Sequence, residues 1–243
     1  MPAAEQARLW VGHAANLALA MRPGFVIMAV PRSGTTYAAR YLTQIGVRCS
    51  HEGYFTPEGP KLLNRDRRFG SVGDASWMSV PFAPRMRLKR LHQTRHPWAV
   101  ISSLYRLGLF DPRLRQIYGR YVAFIDDHFQ VGDCPIDSCL RFYLEWNGRC
   151  EDEAELRYRV EDFEAAVPRI LAVIGAAAAR PRGNVAKDTN SRKSAIGDDW
   201  QSRLSEGLRN HARFGELEAM AVRYGYGSWV EAPWPAEARP RNV

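Results

Sequence analysis

The sequence predicts a three-layer α/β fold, a central parallel β-sheet flanked by helices, in one domain over residues 1–243. Three observations predict it. The run "GFVIMAV" (24–30) is continuously apolar and bounded by turn residues, the pattern of a strand buried on both faces. Strand-like and helix-like segments alternate along the chain. With 243 residues, 46% hydrophobic and 25% charged, the chain can bury one sizeable core, and its composition is ordinary for a globular protein.

Taken in order, residues 3–21 read as an amphipathic helix stopped by Pro23-Gly24. The strand at 24–30 opens the core, which spans about 24–200. Residues 34–46 read as a helix ending at Gly46, and "TPEGPKLLNRDRRFG" (56–70) as a polar loop or lid. "SVGDASW" (71–77) and "RLKRLHQTR" (87–95) suit strands. "PWAVISSLYRLG" (97–108) has proline at a helix start and glycine at its stop. Helical patterns continue over roughly 112–130 and 136–150. "ELRYRV" (155–160) alternates like a strand, 161–175 reads as a helix ending at Gly175, and 180–199 as a loop. A helix over roughly 201–224 and a Pro-rich tail complete the C-terminal part, 201–243.

The formal net charge is +8, and four of the 34 basic residues are lysines, leaving 30 arginines. Guanidinium forks suit phosphate, sulfate and carboxylate. A coding bias toward arginine and alanine gives the same excess, so the charge permits an anionic partner without requiring one. Cys49, Cys134, Cys139 and Cys150 show no C-x-x-C pairing and no histidine pair completes a zinc site, so they read as reduced, mostly buried thiols and no metal is expected. The start lacks a basic n-region, and no stretch reaches the roughly 20 apolar residues of a membrane span. A cytoplasmic protein is expected.

"VPRSGTTYAARYL" (30–42) looks like a strand end, a small polar turn and a helix, a shape that binds anions through free amides and the helix dipole. Ser33, Gly34, Thr35 and Thr36 add hydroxyls and close backbone approach, and Arg32 adds a full charge. A nucleoside-triphosphate loop, G-x-x-x-x-G-K-[ST], needs glycine at 29 and lysine at 35. The chain has Ala29 and Thr35, and no acid is clearly placed for Mg²⁺, so a smaller, metal-free anion fits better. Simple helix capping by Ser33 or Thr35 is the plainer alternative.

"PRSGTTYAARYL" resembles the 5′-phosphosulfate loop of sulfotransferases that use 3′-phosphoadenylyl sulfate (PAPS), in which lysine or arginine precedes Ser-Gly-Thr-Thr. "TRHPWAVISSL" resembles the second motif, an arginine ending a strand and a serine eight positions later, here Arg95 and Ser103. "NSRKSAIGDDW" (190–200) is similar to a late loop in which Arg192 and Lys193 match, with Ser194 where the family usually has glycine. "RYRVEDF" (157–163) is similar to a late strand entering a helix, with Glu161 and Asp162 structural. The resemblance runs in order over about 25–200. It implies a P-loop NTPase-like sulfotransferase fold, PAPS as donor and PAP as product. It also implies Arg32, Ser33, Gly34, Thr35 and Thr36 on the 5′ side, Arg95 and Ser103 on the 3′-phosphate, and Arg192 and Lys193 capturing the cofactor.

The implied reaction moves a sulfuryl group to a hydroxyl, or less readily an amine, of a small-molecule or glycan acceptor. Arg32 suits charge on the leaving oxygen, being always protonated. "CSHEGYF" (49–55) lies where related enzymes carry a base and offers both His51 and Glu52. "HEGYF" resembles the bacterial glutamate pattern and favours Glu52, while His51 has the more convenient ordinary pKa. Asp74, Ser76 and Trp77 fall where acceptor or adenine contacts occur. Tyr54, Phe55, Trp77 and Phe82 are either pocket lining or, by default, core. A P-loop kinase or other phosphotransferase is the second reading, disfavoured by Thr35. A nucleic-acid binder is the third, with no motif to support it.

Overall fold

The computed structural model describes residues 24–60, 73–177 and 199–227. The helix expected over 3–21, most of the loop at 180–199 with Arg192 and Lys193, the segment 61–72 and the Pro-rich tail from 228 lie outside the described residues.

Five strands form one parallel sheet: β1 (Gly24–Met28), β2 (Cys49–His51), β5 (Gly73–Ala75), β6 (Leu88–Thr94) and β7 (Leu156–Arg159), in the order β2-β5-β1-β6-β7. A two-stranded hairpin, β3 (Phe55–Thr56) and β4 (Gly59–Pro60), stands apart. The chain leaves β1 toward β5 and β2 on one side, then returns to β6 on the other. The crevice between the carboxyl ends of β1 and β6 is therefore the topological switch point, where open α/β sheets take their ligands.

The period of two along β1 feeds two cores. Phe25 and Ile27 pack with helix α1 (Thr35–Gln44) and helix α5 (Phe163–Ile174) through Tyr37, Leu42, Phe163 and Ile170. Val26 and Met28 face the other layer: α2 (Pro97–Leu107), α3 (Gly119–His128), α4 (Pro135–Glu153), α6 (Trp200–Arg209) and α7 (Phe214–Arg223). Its centre holds Phe142, Tyr143 and Trp146, all fully buried. Side chains of this size each stabilise the fold by about 1.5–3 kcal/mol on burial. The sheet is thus covered on both faces, as the apolar run at 24–30 predicts.

Several boundaries agree with their local chemistry. Pro97 starts α2 behind His96, whose ring accepts a bond from Trp98 N–H, and Gly108 stops it at φ 66°. Gly175 ends α5 at the same φ. Others depart from expectation. The single helix expected over 201–224 is two: the chain turns at 210–213, where His211 Nε2 meets Asp137 Oδ1 at 2.9 Å and His211 Nδ1 accepts from Arg213 N–H. The helix expected over 112–130 is a 3₁₀ turn at Arg115–Tyr118 and then α3, broken where Gly119 takes φ 36°. The lid expected over 56–70 begins as the β3–β4 hairpin. Strand β2 had no signal, because three residues are too short for alternation to show.

Among the described residues, no helix is long and apolar enough to cross a membrane.

Candidate active site

The loop after β1 turns sharply because two successive constraints demand it. Arg32 lies in the left-handed region at φ 75°, and Gly34 follows at φ 85° as the N-cap of α1. Gly34 also needs the absence of a Cβ, which would sit 2.9 Å from Val160 Cγ2. Among the described residues, no side chain caps α1 and no carboxylate lies in its first turn, and the leftover amides and dipole of such a helix start favour an anion. The sheet holds the loop from below. Gln93, fully buried on β6, donates to Ser33 O at 2.7 Å, and its own carbonyl accepts from Tyr158.

The residues expected to form two anion cradles meet in one place. Arg95, just past β6, donates to Arg32 O at 2.9 Å. Arg32 Nε donates to Ser103 Oγ at 2.8 Å from α2. Ser103, expected beside Arg95 on a 3′-phosphate, is thus engaged by the arginine of the first loop. Two guanidinium groups, a serine hydroxyl and the start of α1 line the switch point together. One Arg95 donor braces the loop, and its fork carries four more. This donor set suits an anion, and among the described residues no lysine joins it.

His51 and Glu52 stand on the other side of the first turn of α1. His51 Nε2 lies 3.0 Å from Thr35 Oγ1 and 3.1 Å from Thr36 Oγ1. Burial lowers the His51 pKa, favouring a neutral ring that can share a proton with either hydroxyl. Glu52 Oε1 is 3.8 Å from the same nitrogen, beyond hydrogen-bond length. Glu52 has its carboxyl pushed up by burial, with bonds from Tyr121 and Trp77 and the charge of Arg120 opposing. Its backbone is left-handed at φ 52°. Among the described residues, Arg32 and Glu52 are the two non-glycine residues with positive φ. Such strain costs of order 1–3 kcal/mol per residue and persists only where surrounding structure imposes it.

Asp74 imposes it at Glu52. This buried carboxylate accepts Ser50 Oγ at 2.6 Å, Gly53 N at 3.0 Å, Tyr54 N at 3.2 Å and Phe55 N at 3.0 Å. Burial raises its proton affinity and the four donors act against that rise. Asp74 is therefore the support of the 52–55 loop. Ser76 is likewise turned inward, donating to Phe55 O and capping the 3₁₀ turn at Trp77–Ser79.

The aromatic residues divide. Phe55 and Trp77 are core, Trp77 packing edge-on against Phe124 at 5.2 Å, while Tyr54 and Phe82 are partly buried against the same cluster. Glu161 binds His96 N–H and Tyr226, and Asp162 pairs with Arg159, both structural roles. Of the four cysteines, all free, Cys134 is exposed and the rest are buried. Gln93 and Tyr121 escaped notice in the sequence. A lone glutamine inside the strand "RLHQT" was the available signal for the first, and nothing local marked the second. Compared with known families and with curated proteins, the chain matches no family model and no curated protein.

Proposed function

We propose that this protein is a sulfotransferase that moves a sulfuryl group from PAPS to a hydroxyl of a small-molecule or glycan acceptor and releases PAP. The observation that supports the reading is the meeting of Arg32, Arg95 and Ser103 at the switch point, with Glu52 and His51 across the uncapped start of α1. When bound, PAPS supplies the sulfuryl group and a phosphate leaving group. The chain supplies the rest. The amides of α1 with the Thr35 and Thr36 hydroxyls hold the 5′ side, and the Arg95 fork suits the 3′-phosphate. Arg32 faces the charge that collects on the leaving oxygen. Glu52 receives the acceptor proton as the acceptor oxygen bonds sulfur and the sulfur–oxygen bond to phosphate breaks with its electron pair. A carboxyl raised by burial suits that task. His51, neutral and bonded to the two threonines, orders their hydroxyls.

Labelled PAPS and a panel of hydroxyl acceptors, read by mass shift, test the reading. Glu52→Gln is expected to lower turnover by about 10²–10⁴-fold with PAP affinity unchanged. Near-normal turnover in that variant, with His51→Ala inactive, would transfer the base role to His51. Turnover of Mg²⁺·ATP with no sulfuryl transfer would favour a phosphotransferase instead.

A further inference from the structure

Glu52 follows β2 in the loop that Asp74 supports, yet its carboxylate is held from α3, on the layer that packs against Val26 and Met28. Tyr121 Oη donates to Glu52 Oε2 at 3.3 Å. The Tyr121 ring lies over Trp77 with centroids 6.3 Å apart and 29° between planes. Trp77 is itself fixed, 5% exposed, its carbonyl accepting from Trp146 Nε1 at 2.9 Å and its ring packed edge-on against Phe124 of the same helix α3. Trp77 has one side-chain donor, the indole N–H, and it too is directed at Glu52. The core thus sets the Trp77 ring, Trp77 and α3 set Tyr121, and Tyr121 holds Oε2. The other, Oε1, lies 3.8 Å from His51 Nε2, beyond hydrogen-bond length.

We propose that Tyr121 is a positioning residue for Glu52, holding Oε2 so that Oε1 is the oxygen that takes the acceptor proton. The proposal rests on the reading of Glu52 as the base. Its consequence is that a helix distant in sequence, α3, sets the base. The phenol can only donate here, since burial and the Glu52 charge raise its own pKa. The 3.3 Å contact is long for a bond to a carboxylate and has room to shorten when an acceptor binds. Among the described residues, the charged and titratable groups facing Glu52 are His51 on β2, Tyr121 and Arg120 on α3, and, through its pair with Arg120 at 3.2 Å, Glu58 on the hairpin. Arg120 and Glu58 are largely exposed, so solvent screens them and Tyr121 provides the directed contact.

Tyr121→Phe keeps the ring on Trp77 and deletes the hydroxyl. The Glu52 carboxyl is followed by ¹³C NMR in glutamate-labelled protein, its signal assigned by loss in Glu52→Gln. Losing a donor to the charged form raises the carboxyl pKa, by about one unit for a bond of ordinary strength to a charged group. The acidic limb of the kcat/KM profile is expected to move up by the same amount, with kcat on the plateau down about tenfold from lost orientation and donor KM unchanged. Tyr118→Phe is the control, since that hydroxyl donates to Leu107 O at 2.9 Å and does not touch Glu52. An unchanged Glu52 titration in folded Tyr121→Phe, or an equal shift in Tyr118→Phe, overturns the proposal. The NMR arm needs no turnover, so absence of sulfuryl transfer in every protein would sink the functional reading while the titration still decides the role of Tyr121.

Discussion

Replacing Asp74 by asparagine is expected to loosen the loop that carries Glu52, and the cost can be worked from its four contacts. Oδ1 accepts from Ser50 Oγ and Gly53 N, and Oδ2 from Tyr54 N and Phe55 N. The side-chain amide introduced by Asp74→Asn has one accepting oxygen. Its best orientation leaves that oxygen to Tyr54 and Phe55 and turns the NH₂ toward Ser50, whose hydroxyl can rotate and has Gly73 O within 3.3 Å as an alternative acceptor. The Gly53 N–H is then orphaned in the interior, which costs about 1–3 kcal/mol, and two charge-assisted bonds become neutral ones. The sum is about 2–4 kcal/mol, or a fall in Tm of roughly 5–15 °C for a chain of this size. Urea denaturation, with the midpoint and slope compared in parallel, measures it. On the proposed function the same variant is expected to lose sulfuryl transfer while keeping PAP affinity, since Glu52 loses its left-handed backbone support and the partners of Asp74 lie outside the loop at 31–36. A loss of stability below about 0.5 kcal/mol would refute the assignment of Asp74 as the strut of the 52–55 loop.

Gly34→Ala is expected to cost about 2–4 kcal/mol, from a methyl group in left-handed backbone and a 2.9 Å approach to Val160 Cγ2. Adding Val160→Ala should relieve the contact part and leave the backbone part, read as partial recovery of the urea midpoint. His92 is fully buried, bonds Asn147 Oδ1 at 3.0 Å, and has its pKa lowered by burial to about 4. The unfolded chain binds that proton near pH 6.5 and the native state does not. Stability is therefore present above about pH 6.5 and falls by roughly 3 kcal/mol as pH drops toward 4, a slope that His92→Gln should remove.

The parts of this molecule that could be read from its sequence are those governed by local rules. The strand at 24–30 was legible because burial on both faces leaves a continuous apolar run, and α2 because Pro97 and Gly108 punctuate it. The turn and helix start at 31–36 were legible because small polar residues and a glycine in consecutive positions mark such a turn. Tertiary contacts were not legible. Asp74 drew attention as an acceptor contact because it ends a strand at the crevice, whereas its partners at 50 and 53–55 lie about 20 residues away and turn it inward. Tyr121 reaches Glu52 across 69 positions, and no periodicity records such a pair. The family resemblance pairs Ser103 with Arg95, while in the fold its hydroxyl oxygen accepts from Arg32 Nε. The break between α6 and α7 depends on His211 reaching Asp137, again a long-range contact that a helical pattern over 201–224 conceals.

The central claim is that Arg32 and Arg95 form one anion crevice for a 3′,5′-bisphosphorylated nucleotide. Isothermal titration of the full chain with PAP in EDTA tests it most directly. Saturable one-to-one binding without Mg²⁺ is expected, weakened at least tenfold by Arg95→Ala, since a charge-assisted bond contributes about 1.5–3 kcal/mol. No binding of PAP at millimolar concentration by folded protein, or equal affinity in wild type and Arg95→Ala, would contradict it.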